Sequence, residues 1–98
     1  MRTEYSESRL NTQYSLRNTL KMKLEILTPD KKVFEGEVRS VTVPGTMGSF
    51  EVLKDHAPII STLEDGKVII RQDNTEETIF IKGGVIEVLN NNIMVLAE

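Results

Sequence analysis

The chain has no cysteine and no tryptophan, and its 98 residues include a single histidine and only five Phe or Tyr. Without cysteine there is no disulfide framework, no thiolate zinc site and no cysteine nucleophile. With His56 as the only imidazole, a multi-histidine metal site is excluded as well. So few aromatics leave little for base-stacking platforms. A net charge of −3 argues against broad electrostatic binding to nucleic acid. No apolar run approaches the ~18 residues of a membrane-crossing helix, so no direct membrane insertion is expected. A secretory apolar region is missing too. The length allows one domain and leaves no room for a dinucleotide-binding fold or an eight-fold barrel.

What is present is unevenly spread. Residues 1–21 carry four basic and two acidic groups, a net of +2. Residues 22–98 carry eight basic and thirteen acidic groups, a net of −5. The first stretch holds three leucines and no valine or isoleucine, whereas the second holds 24 Val, Ile or Leu in 77 residues. Residues 1–21 therefore read as a polar leader, expected to be disordered, a tag or an upstream extension. Leu10, Leu16 and Leu20 make only a weak helical stripe. Glu4 and Glu7 count against a targeting presequence. The folded domain is expected to span residues 22–98.

From Met22 onward the chain reads as all-β. Leu24 to Leu27 is a strand stopped by Thr28-Pro29-Asp30, since proline lacks the ladder donor. Val33 to Val43 is a longer extended run. Its apolar parity switches near Gly36–Arg39, which predicts a bulge or a bend between sheets. Pro44-Gly45-Thr46 reads as a turn. Asp73-Asn74-Thr75 and Asn90-Asn91-Asn92 are hairpin signals, and Gly83-Gly84 is a third break of hairpin type. About nine short strands, with turns every 8–12 residues, predict a sandwich or barrel. Ile81 is expected in the core, and all three phenylalanines fall in apolar runs. No segment of this part shows a capped helical period.

The search for chemistry returns little. Asp55 and His56 are adjacent, so on a strand they point to opposite faces and form no dyad. Ser49, His56 and Asp65 make a triad only on paper, with no nucleophile elbow around Ser49. Glu76-Glu77 reads as a solvated tip. Gly45-Thr46-Met47-Gly48 lacks the following lysine and helix of a phosphate cradle. Asp30, Asp55 and Asp65 are too scattered for a calcium loop. No catalytic, cofactor or metal residue is therefore assigned. One polar connection, Val43 to Pro58, stands out, with His56 placed just before Ala57-Pro58. His56 either caps a turn there or is presented to a partner, and physics alone favours the cap.

Leu27-Thr28-Pro29 with Phe34-Glu35-Gly36, then Val41-Thr42-Val43-Pro44-Gly45-Thr46 and Gly48, open a recognisable series. It continues through Leu53 with His56-Ala57-Pro58, Leu63 with Gly66, Gly83-Gly84, Glu87-Val88 and Val95-Leu96-Ala97-Glu98. In this order the chain resembles the epsilon subunit of the F-type ATP synthase, the mitochondrial delta equivalent, over residues 22–98.

The resemblance implies a ten-stranded β-sandwich at the foot of the central rotor stalk. It implies a non-catalytic subunit that binds the gamma subunit and the polar loops of the membrane rotor ring. That subunit couples ion translocation to ATP synthesis at the cytoplasmic face of a bacterial membrane. It places His56, Ser49 and Met47 at the rotor ring, with Ser49 and Met47 where relatives often carry acids. It places Thr28 and Ser61 near the gamma subunit. Relatives usually continue past the stretch matching Val95 to Glu98 into a helical hairpin linked to inhibition and, in some bacteria, to ATP. On that basis no ATP binding is expected of a chain ending at Glu98. A small carbohydrate- or ligand-binding β-sandwich is the alternative, and it would want exposed aromatic platforms.

Overall fold

The structure, a computed structural model, describes residues 21–98. The polar leader, apart from Lys21, lies outside the described residues. Apolar alternation organises the rest into nine strands, with no helix among the described residues. They are β1 (Met22–Leu27), β2 (Lys32–Val38), β3 (Ser40–Gly45), β4 (Gly48–Val52), β5 (Ile59–Leu63), β6 (Gly66–Arg71), β7 (Glu76–Ile81), β8 (Gly84–Leu89) and β9 (Asn92–Ala97). The strand reading is met in number, and the ten strands implied by the resemblance become nine here.

Backbone pairing joins the strands in the order β2-β1-β9-β8-β5-β3-β6-β7, with β4 on the free side of β3. All pairs are antiparallel except β1–β9, which runs parallel from Lys23↔Asn92 to Leu27↔Leu96. The join between β5 and β3 is a single bridge, Gly45↔Leu63. There the sheet curls over into two layers, β2-β1-β9-β8-β5 and β4-β3-β6-β7. Thr46 N–H donates to the Thr62 carbonyl at 3.1 Å and Glu64 N–H to that of Pro44 at 2.8 Å, closing this corner.

Both layers turn one face inward. Leu24, Ile26, Ile86, Val88 and Val95 of the first layer and Val41, Val43, Val68 and Ile70 of the second share one buried cluster. Ile81 joins it, as the sequence suggests. Burying each such side chain is worth roughly 1.5–3 kcal/mol, and the cluster supplies most of the drive to fold. The parity switch foreseen near Gly36–Arg39 falls at Arg39. Val38 and Ser40, two apart, are both buried, and so is Val41. Arg39 N–H donates to the Arg71 carbonyl at 2.8 Å, so the bend hands the chain from β2 in one layer to β3 in the other.

Two turn readings shift. Pro44 and Gly45 belong to β3, and the turn is Thr46-Met47, closed by Gly45↔Gly48 with Gly48 at φ 124°. Gly83-Gly84 is no hairpin, because β7 pairs with β6 while β8 pairs with β5 and β9. Those two glycines carry the chain between layers at φ 135° and 151°, conformations that side chains with a Cβ rarely adopt. The other two hairpins form as read. The second places Asn90 and Asn91 at φ 52° and 62°, as a two-residue turn with both centres left-handed requires.

Candidate functional site

Strand polarity sorts the connections to two ends of the sandwich. One end gathers the β1–β2 turn, the Thr46-Met47 tip and the β5–β6 turn. The other gathers the Arg39 bend, the loop 53–58, the β6–β7 turn and Asn90-Asn91. This sorting decides which sequence-predicted residues share a surface.

Met47 projects from the first end and is 98% exposed. Ser49 follows on β4, opposite Pro44, and is exposed. Thr46 and Thr62 exchange a hydroxyl hydrogen bond of 2.9 Å, tying the tip to β5. His56 lies beyond the other end of β4. Five strand residues separate it from the tip, about 16 Å at ~3.3 Å per residue. The structure therefore does not bring His56 to the surface that Met47 and Ser49 share.

The loop around His56 is held locally. His56 Nδ1 lies 2.7 Å from the Ala57 carbonyl oxygen, and His56 N–H donates to the Leu53 carbonyl at 3.1 Å. Asp55 adopts φ 67°. Its N–H donates to Asn91 Oδ1 at 2.7 Å, and Asn91 Nδ2 donates back to Asp55 Oδ1 at 3.2 Å. This clasp joins the loop to the β8–β9 turn. The Lys54 ammonium, 3.0 Å from Asp55 Oδ1, and the Asn91 amide hold the Asp55 carboxyl below its ordinary range.

Thr28 works as a turn cap. Its Oγ1 donates to the Lys31 carbonyl at 3.1 Å and accepts from Lys31 N–H at 3.2 Å. Ser61 sits on the inward parity of β5, with Ile59 and Leu63, and is half-buried. Its neighbours Ile60 and Thr62 point outward and are exposed.

The sequence reading missed the outer face of the five-stranded layer. Paired residues share a face, so the registers place Ile60, Glu87, Met94, Glu25 and Glu35 in one row. Thr62, Val85, Leu96 and Leu27 form the next. Ile60 is 74% exposed and Leu96 51%. This apolar stripe runs across β5, β8, β9 and β1 and gives way to charge at β2. There Lys32 lies 2.9 Å from Glu35 and 3.4 Å from Glu25. The hydrogen bond from Lys32 lowers the Glu35 pKa, and the same bond raises that of Lys32. The signal was available: Val85 and Leu89 of β8 and Met94 and Leu96 of β9 are apolar on the parity that turns away from the core.

The opposite outer face, on the four-stranded layer, is mainly polar. Arg71 stands 3.6 Å from both Glu51 and Glu76 and donates to Thr42 Oγ1 at 3.3 Å. Ile69 shares this face half-buried, and Phe80 is its most exposed apolar residue. Alternation turns it outward, and it is 77% exposed despite its apolar surroundings in sequence.

Chemistry finds no assembly point among the described residues. No group of three His, Cys, Asp or Glu is close enough to hold a metal. Ser49 and Asp65 lie toward one end and His56 at the other, so the paper triad does not form. Glu76 is engaged by Arg71, and the tip at Met47 opens onto a strand rather than a helix.

The family profile described as "ATP synthase, Delta/Epsilon chain, beta-sandwich domain" matches residues 21–98. The ATP synthase epsilon chain of Chlorobaculum tepidum is 46% identical over 76 residues, which cover 76% of this chain and 86% of that relative. The epsilon chain of Sulfurimonas denitrificans is 44% identical over 79 residues, 80% of this chain and 61% of that one. Among solved structures, a chain of the Euglena gracilis mitochondrial ATP synthase OSCP/F1/c-ring assembly shares the fold at TM-score 0.75 and 17% identity, over 80% of this chain and 51% of that one. A chain of the Tetrahymena thermophila mitochondrial ATP synthase central stalk and c-ring shares it at TM-score 0.66 and 19% identity, over 79% of this chain and 63% of that one. The profile match takes in all nine strands, and the chain belongs to the ATP synthase delta/epsilon-chain family, whose beta-sandwich domain it carries.

Proposed function

We propose that this chain is a non-catalytic central-stalk subunit of a rotary ATP synthase, joining a gamma subunit to the polar loops of the membrane rotor ring. It couples ion translocation to ATP synthesis mechanically. The observation that carries this reading is the apolar stripe on the outer face of the five-stranded layer. Four strands ~4.8 Å apart, with two outward rows ~6.7 Å apart along them, give a stripe of roughly 250 Å². That is a fair part of the ~800 Å² one partner contributes to a standard interface. The largest exposed apolar patch of a protein is often its functional surface.

The gamma subunit occupies this stripe, with Ile60 and Thr62 as the contacts on β5, in place of inward-facing Ser61 and turn-capping Thr28. The Met47 tip, with Ser49 beside it, meets the rotor ring. His56 belongs to the loop clasp at the far end. No described helix is long and apolar enough to cross a membrane. The subunit sits at the cytoplasmic face of a bacterial membrane through its partners.

The test is binding of the chain to the gamma subunit of its own organism. Capture at a Kd of about 1 μM or tighter is expected, and Ile60→Asp should weaken it at least tenfold, a difference of ~1.4 kcal/mol. Equal capture by both proteins, or by neither, contradicts the reading.

A further inference from the structure

Glu87 stands in the middle of the apolar stripe. Its cross-strand neighbours on the outer face are Ile60 and Met94. Val85 and Leu89 flank it along β8 on the same parity. The other outward carboxylates of this row, Glu25 and Glu35, are paired with Lys32. Glu87 makes no ion pair or hydrogen bond with any described residue. Two shallow grooves run past it, one toward Lys23 and Met94 and one toward Pro58 and Ile60, and Glu87 and Leu89 line both. A carboxylate there costs little while water reaches it. Once an apolar partner covers the stripe, its charge loses water and needs a cation.

We infer that Glu87 is the charge anchor of this docking face, and that its occupant is a protein segment presenting one Arg or Lys flanked by aliphatic or aromatic side chains. The flanking side chains fill the two grooves and the cation reaches Glu87 between them. The inference rests on the reading of this face as the gamma-subunit interface and adds the chemistry the partner must bring. The body's net of −5 favours a basic partner segment over a nucleic acid or an anionic lipid surface. A guanidinium suits the place best, since its fork can engage both carboxylate oxygens.

The test uses the full chain and the gamma subunit, with binding measured at low and at high salt. Glu87→Gln keeps the shape and removes the charge, and as an exposed substitution it should leave the melting temperature unchanged. Its affinity should fall at least tenfold at low salt, and the salt dependence seen with wild type should flatten in the variant. Glu77→Gln, at the far edge of the other layer, should bind as wild type. Reversing the partner's facing Arg or Lys to Glu should be rescued by Glu87→Lys. If wild type binds and Glu87→Gln binds equally at every salt concentration, the anchor is overturned while the interface stands. If wild type does not bind at all, the interface and the anchor fall together.

Discussion

Gly84 shows how one missing methyl group can hold a fold. It pairs with Leu63 on one side and Ala97 on the other, at φ 151°. A Cβ at this position would collide with the Leu96 carbonyl oxygen. Gly84→Ala should therefore destabilise the domain by about 2 kcal/mol or more, read as a drop in the denaturant midpoint. His56 gives a second residue-scale prediction. Its ring bonds the backbone of its own loop, so His56→Ala should cost the isolated domain ~0.5–2 kcal/mol, the range of a lost side-chain cap. Proton pumping by the assembled complex should stay near normal once the protein is folded. A neutral melt with impaired pumping would return His56 to the ring surface. In sequence, a cap and a partner contact are both open to this residue, and physics alone favours the cap. What the sequence could not show is that β4 carries His56 away from Met47, because that separation depends on strand polarity, which is fixed by pairing across the fold.

At the scale of elements, the loop 53–58 depends on the Asp55–Asn91 clasp. The Asp55 carboxyl is held below its ordinary pKa, first by Lys54 and then by Asn91. A depressed folded-state value means the carboxylate stabilises the fold above its ordinary range, and this contribution is lost as pH falls through the depressed value. Asp55→Asn should thus lower the melting temperature at pH 7, and the gap to wild type should close in acid. A gap that persists or widens in acid would assign the effect to geometry alone. The same scale shows which strands the chain announces. Strands β6–β7 and β8–β9 carry their turn residues in sequence, and both hairpins form as read. Gly83-Gly84 carries an equally strong turn signal and makes a crossing between layers. Glycine reports left-handed backbone, and long-range pairing decides what the turn connects. Phe80 is a related case, since its apolar neighbours suggest burial while alternation along β7 turns it to solvent.

For the whole molecule, two layers joined at one backbone bridge bury one face each and leave two unlike outer faces. The four-stranded layer shows solvent a charged network around Arg71. The five-stranded layer shows it a stripe of aliphatic side chains. The all-β class, the bend at Arg39 and the buried alternation were legible in local pattern. The docking face was not, because it exists only after β1, β9, β8 and β5 are laid side by side in that order. A whole-molecule prediction follows from where the core starts. Met22 is buried at the head of β1, so a chain beginning at Met22 should keep its melting temperature and its gamma binding. A large loss of either would mean that the preceding residues contribute to the fold or to the interface.

The absence of cysteine permits a direct test of the docking face, because Ile60→Cys introduces the only thiol in the chain. A short thiol-directed photocrosslinker at that position, in the assembled ATP synthase, should join this chain to the gamma subunit. The same reagent at Thr78→Cys, on the outer face of the other layer, should not. Crosslinks to gamma from position 78 with none from position 60 would place the interface on the opposite layer and contradict the account.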